Sequence, residues 1–285
     1  MKKTLSFAAT IAVCGCIFAS PVKSMLGARD MGDEEEAPIP SAAEYVQDGL
    51  IAMWDAIENA GYGEHDPYSF TVVNLADTEV ADIVLPPDRW NIADNSIIAT
   101  TNRGIIVSYP SQAWYEEVMM GGDGWTAEIV CNAKQRASAS ANNNILGIAQ
   151  SCGFRWLGYS KNDLFNFDAS NQFNGLGTNM SRADFYAYDP SLSLHSFSEV
   201  VLLGQFTQMR IDDKLHKMSK GGLTGTQYYW AGRNKISIGC TFEDGSKLAQ
   251  GKGWEWGCVR IYNRALTSEE VAHNYVIDQM RFNLQ

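Results

Sequence analysis

Five aromatic residues are spaced so that they could form platforms for a sugar ring. Side chains alternate along a strand, so Tyr186 and Tyr188 fall on one side of the predicted strand 184–188. In the same way, Tyr228 and Trp230 fall on one side of the predicted strand 227–230. Sugar rings stack on Tyr and Trp, whose polar edges favour partial exposure. The alternative is an outer layer covered by a loop. The candidate ligand-binding residues are Trp156, Tyr186, Tyr188, Tyr228 and Trp230.

A cluster of oxygen-bearing side chains, Asn162, Asp163, Asn166 and Asp168, could hold a calcium ion. Their order does not match an EF-hand loop, and an Asn/Asp-rich turn is the alternative interpretation. The four His residues show neither a His-x-x-x-His pair nor a Cys/His ligand spacing. The sequence therefore predicts no transition-metal site, and calcium is the one cofactor considered.

Motifs for nucleophilic or nucleotide chemistry are missing from the sequence. There is no Gly-x-Ser-x-Gly elbow, Walker loop or dinucleotide fingerprint. The net charge of −11 would repel a phosphate backbone, so nucleic acid is not expected as a partner.

The elements that would position these residues are predominantly short strands. From residue 42 onward, segments rich in Val, Ile, Phe, Tyr and Trp are separated by Gly, Asn, Asp and Ser. Ile236, Ile238 and Cys240 fall on one face of such a segment. About a dozen strands at this spacing predict an all-β sandwich or barrel.

One helix is predicted, at the end of the chain. Thr267 and Glu270 have the spacing of a capping box, and Val271 and Tyr275 follow at i, i+4. We expect Val271, Tyr275 and Val276 to pack on the sheet that contains residues 259 and 261.

Three segments carry a resemblance to a known family. Residues 257–275, which contain RIYNRALTSEE, resemble the closing segment of laminin-G-like, concanavalin A-like domains of bacterial, Bacteroidetes-type secreted proteins. Residues 45–63 are similar to the opening of such domains, and residues 125–130 to an internal strand. The resemblance implies a concanavalin A-like jelly-roll β-sandwich with a short C-terminal helix, in which Arg260 and Arg264 reach carboxylates at the sheet edge.

Some members of this superfold are retaining glycoside hydrolases with a Glu-x-Asp-x-x-Glu strand. That pattern does not occur here. The nearest spacing is Asp77-x-Glu79-x-x-Asp82, which the resemblance places in a loop after an early strand. The resemblance therefore implies a domain that is not an enzyme.

The N-terminus reads as a secretory signal peptide, with Lys2 and Lys3 before a short apolar run. We expect a signal peptide over residues 1–24, an acidic flexible linker over 25–41 and the laminin-G-like domain over 42–285. Cleavage would remove three lysines and no acid, which leaves a net charge of −14. Alternatively, a lipobox-like run would make Cys16 a lipidated N-terminus. No second apolar stretch is long enough to span a membrane.

Four cysteines follow the signal peptide, and an even count in an exported protein permits disulfides. Cys240 and Cys258 could approach if their strands are antiparallel neighbours, and Cys131 with Cys152 is a second pairing. The alternative is that the thiols are free and buried as small hydrophobes.

Three functions remain open from the sequence. The first is an exported, non-catalytic carbohydrate-recognition or adhesion module at the cell surface, with a polysaccharide or glycoprotein glycan as partner. The second is a structural or protein-binding subunit of a cell-surface assembly. The third is a diverged glycoside hydrolase. Fold resemblance alone does not choose among them.

Overall fold

A computed structural model of the chain describes residues 38–58, 71–85, 90–91, 96–99, 105–119, 121–132, 143–149, 152–159, 162–168, 178–181, 193–220, 235–238, 240–243, 247–250 and 254–285. The chain divides into two units, Met1–Pro38 and Ile39–Gln285. The second unit contains all the elements given below.

The described elements are mostly antiparallel strands. The strands in chain order are β1 Leu50–Asp55, β2 Thr71–Val72, β3 Ile83–Val84, β4 Trp90–Asn91, β5 Ser96–Ala99, β6 Ile105–Ser108, β7 Gly124–Cys131, β8 Asn143–Ala149, β9 Cys152–Tyr159, β10 Asn162–Asp168, β11 Thr178–Ser181, β12 His195–Leu202, β13 Phe206–Ile211, β14 Lys214–Lys220, β15 Lys235–Ile238, β16 Cys240–Glu243, β17 Lys247–Gln250 and β18 Trp254–Tyr262. The helices are a 3₁₀ turn Ala42–Glu44, α1 Gln112–Trp114, a π-helical turn Tyr115–Met119 and α2 Ser268–Phe282.

Two large sheets form the sandwich. The eight-stranded sheet has the order β14-β13-β12-β7-β18-β5-β4, and β1 also pairs with β18. The six-stranded sheet has the order β11-β10-β9-β8-β15-β6, and β2–β3 and β16–β17 form two small hairpins. The predicted all-β sandwich with a C-terminal helix is confirmed.

The main core lies between the two sheets. Ile129, Phe197 and Val259 from the eight-stranded sheet share one apolar cluster with Leu146 and Ile238 from the six-stranded sheet. The apolar residues of each strand meet between the sheets because every second side chain of a strand faces the same side of its sheet.

A second apolar cluster lies on the other face of the eight-stranded sheet, under α2. It joins Val130, Cys258 and Tyr262 of the strands to Val271 and Ile277 of the helix. Helix α2 begins as predicted, since the Thr267 side chain accepts from the Glu270 N–H in a capping box. It ends before Asn283, whose φ of 51° forms a left-handed C-cap.

The predicted docking of the helix was partly wrong. Val271 is buried and Tyr275 packs at the margin, but Val276 is 46% exposed. Val259 and Ile261 face the inter-sheet core, so the helix contacts their neighbours in β18 instead. The inward face of α2 also carries polar residues, which the apolar spacing could not indicate.

Among the described residues, none of the helices combines the length and the apolar character that a membrane crossing requires.

Candidate functional site

A concentration of charged side chains lies under α2, centred on Arg260. Its Nε donates to Glu128 Oε2 at 2.8 Å, and its two terminal nitrogens donate to the two Asp278 oxygens at 2.7 and 2.8 Å. The guanidinium carbon lies 4.0 Å from the centroid of the Tyr45 ring. Arg260 is 1% exposed, so this bidentate pair is removed from water.

A second arginine, Arg281, continues the network from the end of α2. It donates to Asp55 Oδ1 at 2.8 Å and to Glu58 Oε1 at 2.9 Å, and it also donates to the Pro40 carbonyl. We call Arg260, Arg281, Glu128, Asp55 and Asp278 the ion cluster.

The chain segment 40–46, which we call the strap, is tied down by this network. The Tyr45 hydroxyl donates to Asp278 Oδ1 at 2.8 Å, and the Val46 N–H donates to Asn274 Oδ1 at 3.0 Å. Asn274 also donates to Glu128 Oε2 at 2.8 Å. The strap and α2 are thus held by the same buried groups.

Burial dominates the electrostatics of the ion cluster. Desolvation raises the pKa of Glu128, although the charge of Arg260 acts to lower it. Desolvation likewise raises the pKa of Asp55, although the charge of Arg281 acts to lower it. Desolvation, together with the Asp278 charge, also holds the pKa of the Tyr45 hydroxyl well above its usual value. Tyr45 therefore stays protonated and donates its hydrogen bond at any ordinary pH.

Five residues of the three segments that resemble laminin-G-like domains lie in or beside the ion cluster. Tyr45 and Asp55 belong to the opening segment, Glu128 to the internal strand, and Arg260 and Asn274 to the closing segment. All five are buried, and each bonds to another of them or to Asp278 or Arg281. In this chain they hold the strap and α2 on the eight-stranded sheet. Arg260 reaches carboxylates beneath the helix, not at the sheet edge.

Arg264 has a similar structural role at the surface. It binds Glu270 through two nitrogens at 2.9 and 2.7 Å, and its Nε donates to the Asp48 carbonyl at 3.0 Å. These hydrogen bonds lower the pKa of Glu270 to about 2. The Arg264 side chain packs on Gly49, where φ is +77° and a Cβ would lie 2.9 Å from Arg264 Cγ.

A buried His–Asp pair occurs at the turn between β13 and β14. His195 Nδ1 lies 2.6 Å from Asp212 Oδ2, and the Ser196 N–H donates to Asp212 Oδ1 at 3.0 Å. The Ser196 hydroxyl donates to Asp278 instead of facing His195. Ser, His and Asp, the residue types of a hydrolytic triad, lie close together here. The Ser196 hydroxyl binds Asp278 and not His195, so these residues do not form the hydrogen-bonded chain of a triad.

The acidic spacing near residue 80 lies in a surface loop, as the resemblance implies. Asp77 and Glu79 are exposed, and Asp82 Oδ1 accepts the Asn74 N–H at 2.8 Å. The two exposed acids lie outside any strand, and the third is used to fold the loop.

A surface cleft of about 530 Å³ opens beside the strap. Its lining includes Ala42, Met53, Glu58 and Leu75. The Glu58 carboxylate in it already accepts from Arg281 and from the Ala42 N–H, the latter at 2.6 Å. The lining residues that the structure describes include no aromatic side chain for a sugar to stack on.

Of the predicted sugar platforms, only the backbone of Trp156 is described. Trp156 lies in β9 opposite Phe165 of β10 and Asn143 of β8. Tyr186, Tyr188, Tyr228 and Trp230 lie outside the described residues.

The calcium candidates occupy strand β10 rather than a turn. Asn162, Asp163, Asn166 and Asp168 all belong to this strand. In the described part of the chain, no group of three His, Cys, Asp or Glu residues could hold a metal.

The two fully described cysteines, Cys131 and Cys258, are free and buried. Cys131 belongs to the inter-sheet core and Cys258 to the core under α2. The Cys240–Cys258 and Cys131–Cys152 bridges that the cysteine count permits are therefore absent, and the alternative of buried thiols is confirmed for Cys131 and Cys258. Burial raises the pKa of both thiols.

The sequence reasoning missed the ion cluster as a unit. Its signal was present, because Asn274, Asp278 and Arg281 follow one face of α2 at helical spacing. A polar stripe at this spacing is normally solvated, and only its buried partners Glu128, Asp55 and Arg260 identify it as an interior face.

No family model matches the chain, and no curated protein matches it. Solved structures with the same fold include botulinum neurotoxin type C, whose cell entry depends on interaction with two ganglioside molecules, at 13% identity and a TM-score of 0.53. The binding domain of botulinum neurotoxin serotype D/C matches at 10% identity and 0.55. Trypanosoma rangeli sialidase matches at 12% identity and 0.53.

The alignments cover most of this chain but only part of the matched chains. They span 80% of this chain and 51% of the type C toxin chain, 82% and 53% for serotype D/C, and 85% and 33% for the sialidase. At these identities the likeness establishes a shared β-sandwich fold.

Proposed function

We propose that the chain is an exported, non-catalytic carbohydrate-recognition module of the laminin-G-like type, acting at the cell surface. The observation that carries the proposal is its β-sandwich fold, which it shares with a neurotoxin whose cell entry depends on interaction with two ganglioside molecules and with a botulinum neurotoxin binding domain in complex with SialylT. The signal-peptide pattern of residues 1–24 and the lipobox-like run that ends at Cys16 support export.

The chemistry of the described carboxylates supports a non-catalytic role. Glu128, Asp55 and Asp278 are buried and bonded to arginines, while Asp77 and Glu79 are exposed in a loop. A glycosidase needs two carboxylates that face one sugar. None of these acids is placed in that way.

The test is a glycan array probed with the full mature chain. We expect retention on a limited set of glycans, and we expect Trp230→Ala or Tyr228→Ala to weaken it with the melting temperature nearly unchanged. A control, Met280→Ala on the exposed side of α2, leaves retention intact. A large fall in melting temperature would instead mark Tyr228 or Trp230 as core, because truncating a buried aromatic costs about 3 to 5 kcal/mol.

A protein-binding subunit is the second candidate. It is favoured by one neighbour of the same fold, a botulinum neurotoxin binding domain in complex with rat synaptotagmin II. If the array shows no retention and a stoichiometric protein is captured from envelope extract regardless of added glycans, this candidate replaces the first. Release of cleaved sugars from the array would favour the diverged hydrolase.

A further inference from the structure

The cleft beside the strap contains a carboxylate that uses only one of its two oxygens. Glu58 Oε1 accepts from Arg281 at 2.9 Å and from the Ala42 N–H at 2.6 Å. Glu58 Oε2 makes no hydrogen bond with any residue that the structure describes. Glu58 lines the cleft, and its side chain is 12% exposed. A ligand in the cleft can therefore reach a charged acceptor there.

The buried network behind Glu58 contains more negative than positive groups. Each arginine of the ion cluster pairs with two carboxylates, which are Glu128 and Asp278 for Arg260, and Asp55 and Glu58 for Arg281. Within the described part of the chain, these carboxylates form ion pairs with the two arginines alone. The network is therefore short of positive charge.

Burial makes this shortage costly, because a carboxylate removed from water needs a compensating charge. Desolvation raises the pKa of Asp55 even though the charge of Arg281 acts to lower it. The side chains of Glu128, Asp278 and Asp55 are at most 2% exposed, whereas that of Glu58 is 12% exposed. A cation from solution can therefore join the network at Glu58 and at none of the other three carboxylates.

The rest of the cleft lining suits an apolar stem. Ala42 and Met53 are buried, and Leu75 is half-buried. Gln47 is exposed, and its Nε2 donates to the Tyr45 carbonyl at 2.8 Å, which leaves Oε1 as a further acceptor. An alkylamine lays its methylenes along apolar surface and keeps its ammonium at a polar end. The cleft volume of about 530 Å³ lies in the range of small-molecule sites.

We propose that the cleft binds the primary ammonium group of an alkylamine, with Glu58 Oε2 and Gln47 Oε1 accepting its hydrogens and Met53 and Leu75 contacting its stem. An ammonium has three donors and no acceptor, and its bond to a carboxylate is charge-assisted. A neutral hydroxyl would leave the charge of the network unchanged. The net charge of −11 also attracts cations to the chain. This site is separate from the proposed recognition of glycans.

The experiment is an NMR titration of the full mature chain with pentylamine and with pentanol, which has the same stem and no charge. At pH 7 pentylamine is protonated. We expect pentylamine to bind about 10-fold more tightly than pentanol, as for one charge-assisted contact. Glu58→Gln should remove most of this difference and leave the affinity for pentanol nearly unchanged.

Variants of Gln47 test the site without altering the buried network. Gln47→Glu adds a carboxylate to the cleft and should strengthen pentylamine binding about 2- to 5-fold. Gln47→Lys places a competing ammonium in the cleft and should weaken binding by a similar factor. Gln205→Glu and Gln205→Lys are the matched controls, since Gln205 lies exposed in the turn between β12 and β13 and should leave binding unchanged. Melting temperatures of all variants verify folding.

A free amine and a lysine side chain of a protein partner share this chemistry. A lysine blocked at both its amino and its carboxyl end presents the same ammonium on a peptide backbone. Tighter binding of blocked lysine than of pentylamine would assign the site to a protein lysine, and weaker binding would assign it to a free amine. Acetylation of the lysine Nζ, which removes the charge, should abolish its binding in either case.

Equal affinities for pentylamine and pentanol would overturn the proposal. Pentylamine binding that neither Glu58→Gln nor the two Gln47 variants alter would also overturn it, and so would the absence of binding by pentylamine and blocked lysine. The glycan array is a separate measurement, so failure of the amine site and failure of the carbohydrate-recognition function are distinguishable.

Discussion

Two arginines near the end of the chain bind carboxylates in opposite settings. Arg260 lies beneath α2 and the strap, with its guanidinium bonded to Glu128 and Asp278, and its side chain is 1% exposed. Arg264 binds Glu270 and Asp48 at the surface, and its side chain is 27% exposed. The comparison teaches that burial by a covering element, rather than the residue type, decides how much an arginine contributes to the stability of the fold.

The physical basis of the difference is desolvation. A charge taken out of water is costly unless it is paired, and removing one partner leaves the other buried and uncompensated. A charge at the surface keeps part of its hydration, so its removal costs less stability. Stability measurements should therefore separate Arg260 from Arg264.

The largest effect is expected for Arg260→Met. It leaves Glu128 and Asp278 buried without their cation, and we expect it to lower the free energy of unfolding by about 3 to 5 kcal/mol. Urea denaturation followed by circular dichroism measures the change.

Arg264→Met is the control for that variant, because its partners Glu270 and Asp48 are partly exposed. It should cost only about 1 kcal/mol or less. Equal losses for the two variants would mean that burial of the ion cluster does not govern its contribution.

Tyr45→Phe should have the next largest effect. It removes the hydroxyl that donates to Asp278 and keeps the ring beneath Arg260. Loss of a hydrogen bond to a buried charged acceptor should cost about 1.5 to 3 kcal/mol. Hydrogen exchange should also show faster opening at the strap and α2. Unchanged exchange there would argue against the strap as part of the network.

Glu270→Gln should have a smaller effect that depends on pH. The pKa of Glu270 in the folded chain is about 2, below its usual value of 4.5, so its carboxylate contributes stability above pH 4.5. That contribution is lost as the pH falls from 4.5 through 2. We expect a cost of about 1 kcal/mol at pH 7, limited by partial exposure.

Thermal melts of wild type and Glu270→Gln at pH 7 and near pH 2 measure this cost. The two proteins should converge at the lower pH. A constant difference across the range would contradict the assignment of the shift to ionised Glu270.

The thiols provide a test of the two cores. Cys131 and Cys258 should resist alkylation in the native chain at pH 8 and react fully after denaturation, because burial raises the pKa of both. Peptide mapping under non-reducing conditions should recover both as free thiols. A peptide linked through either cysteine would show that the paired alternative was correct.

The strongly patterned elements could be predicted from the sequence. Strand β18 has the predicted bounds 254–262, and α2 begins at the predicted capping box because Thr267 and Glu270 are local signals. Strand β10 was missed, since its Asn and Asp residues favoured a turn over the alternation that places Phe165 and Phe167 on one face. Local composition does not report that a partner strand exists.

The interior role of the polar residues could not be predicted, because it depends on contacts between distant segments. Asp278 and Tyr45 are 233 residues apart, and neither has a local partner that indicates burial. The same limit applies to the cysteines. Cys131 and Cys258 lie in paired strands but on opposite faces, and the spacing in the sequence does not reveal which face each occupies.

The most direct test of the role of burial compares the free energies of unfolding of Arg260→Met and Arg264→Met in urea at pH 7. The account predicts that Arg260→Met loses about 3 to 5 kcal/mol, whereas Arg264→Met loses about 1 kcal/mol or less. A loss in Arg264→Met as large as that in Arg260→Met would contradict it.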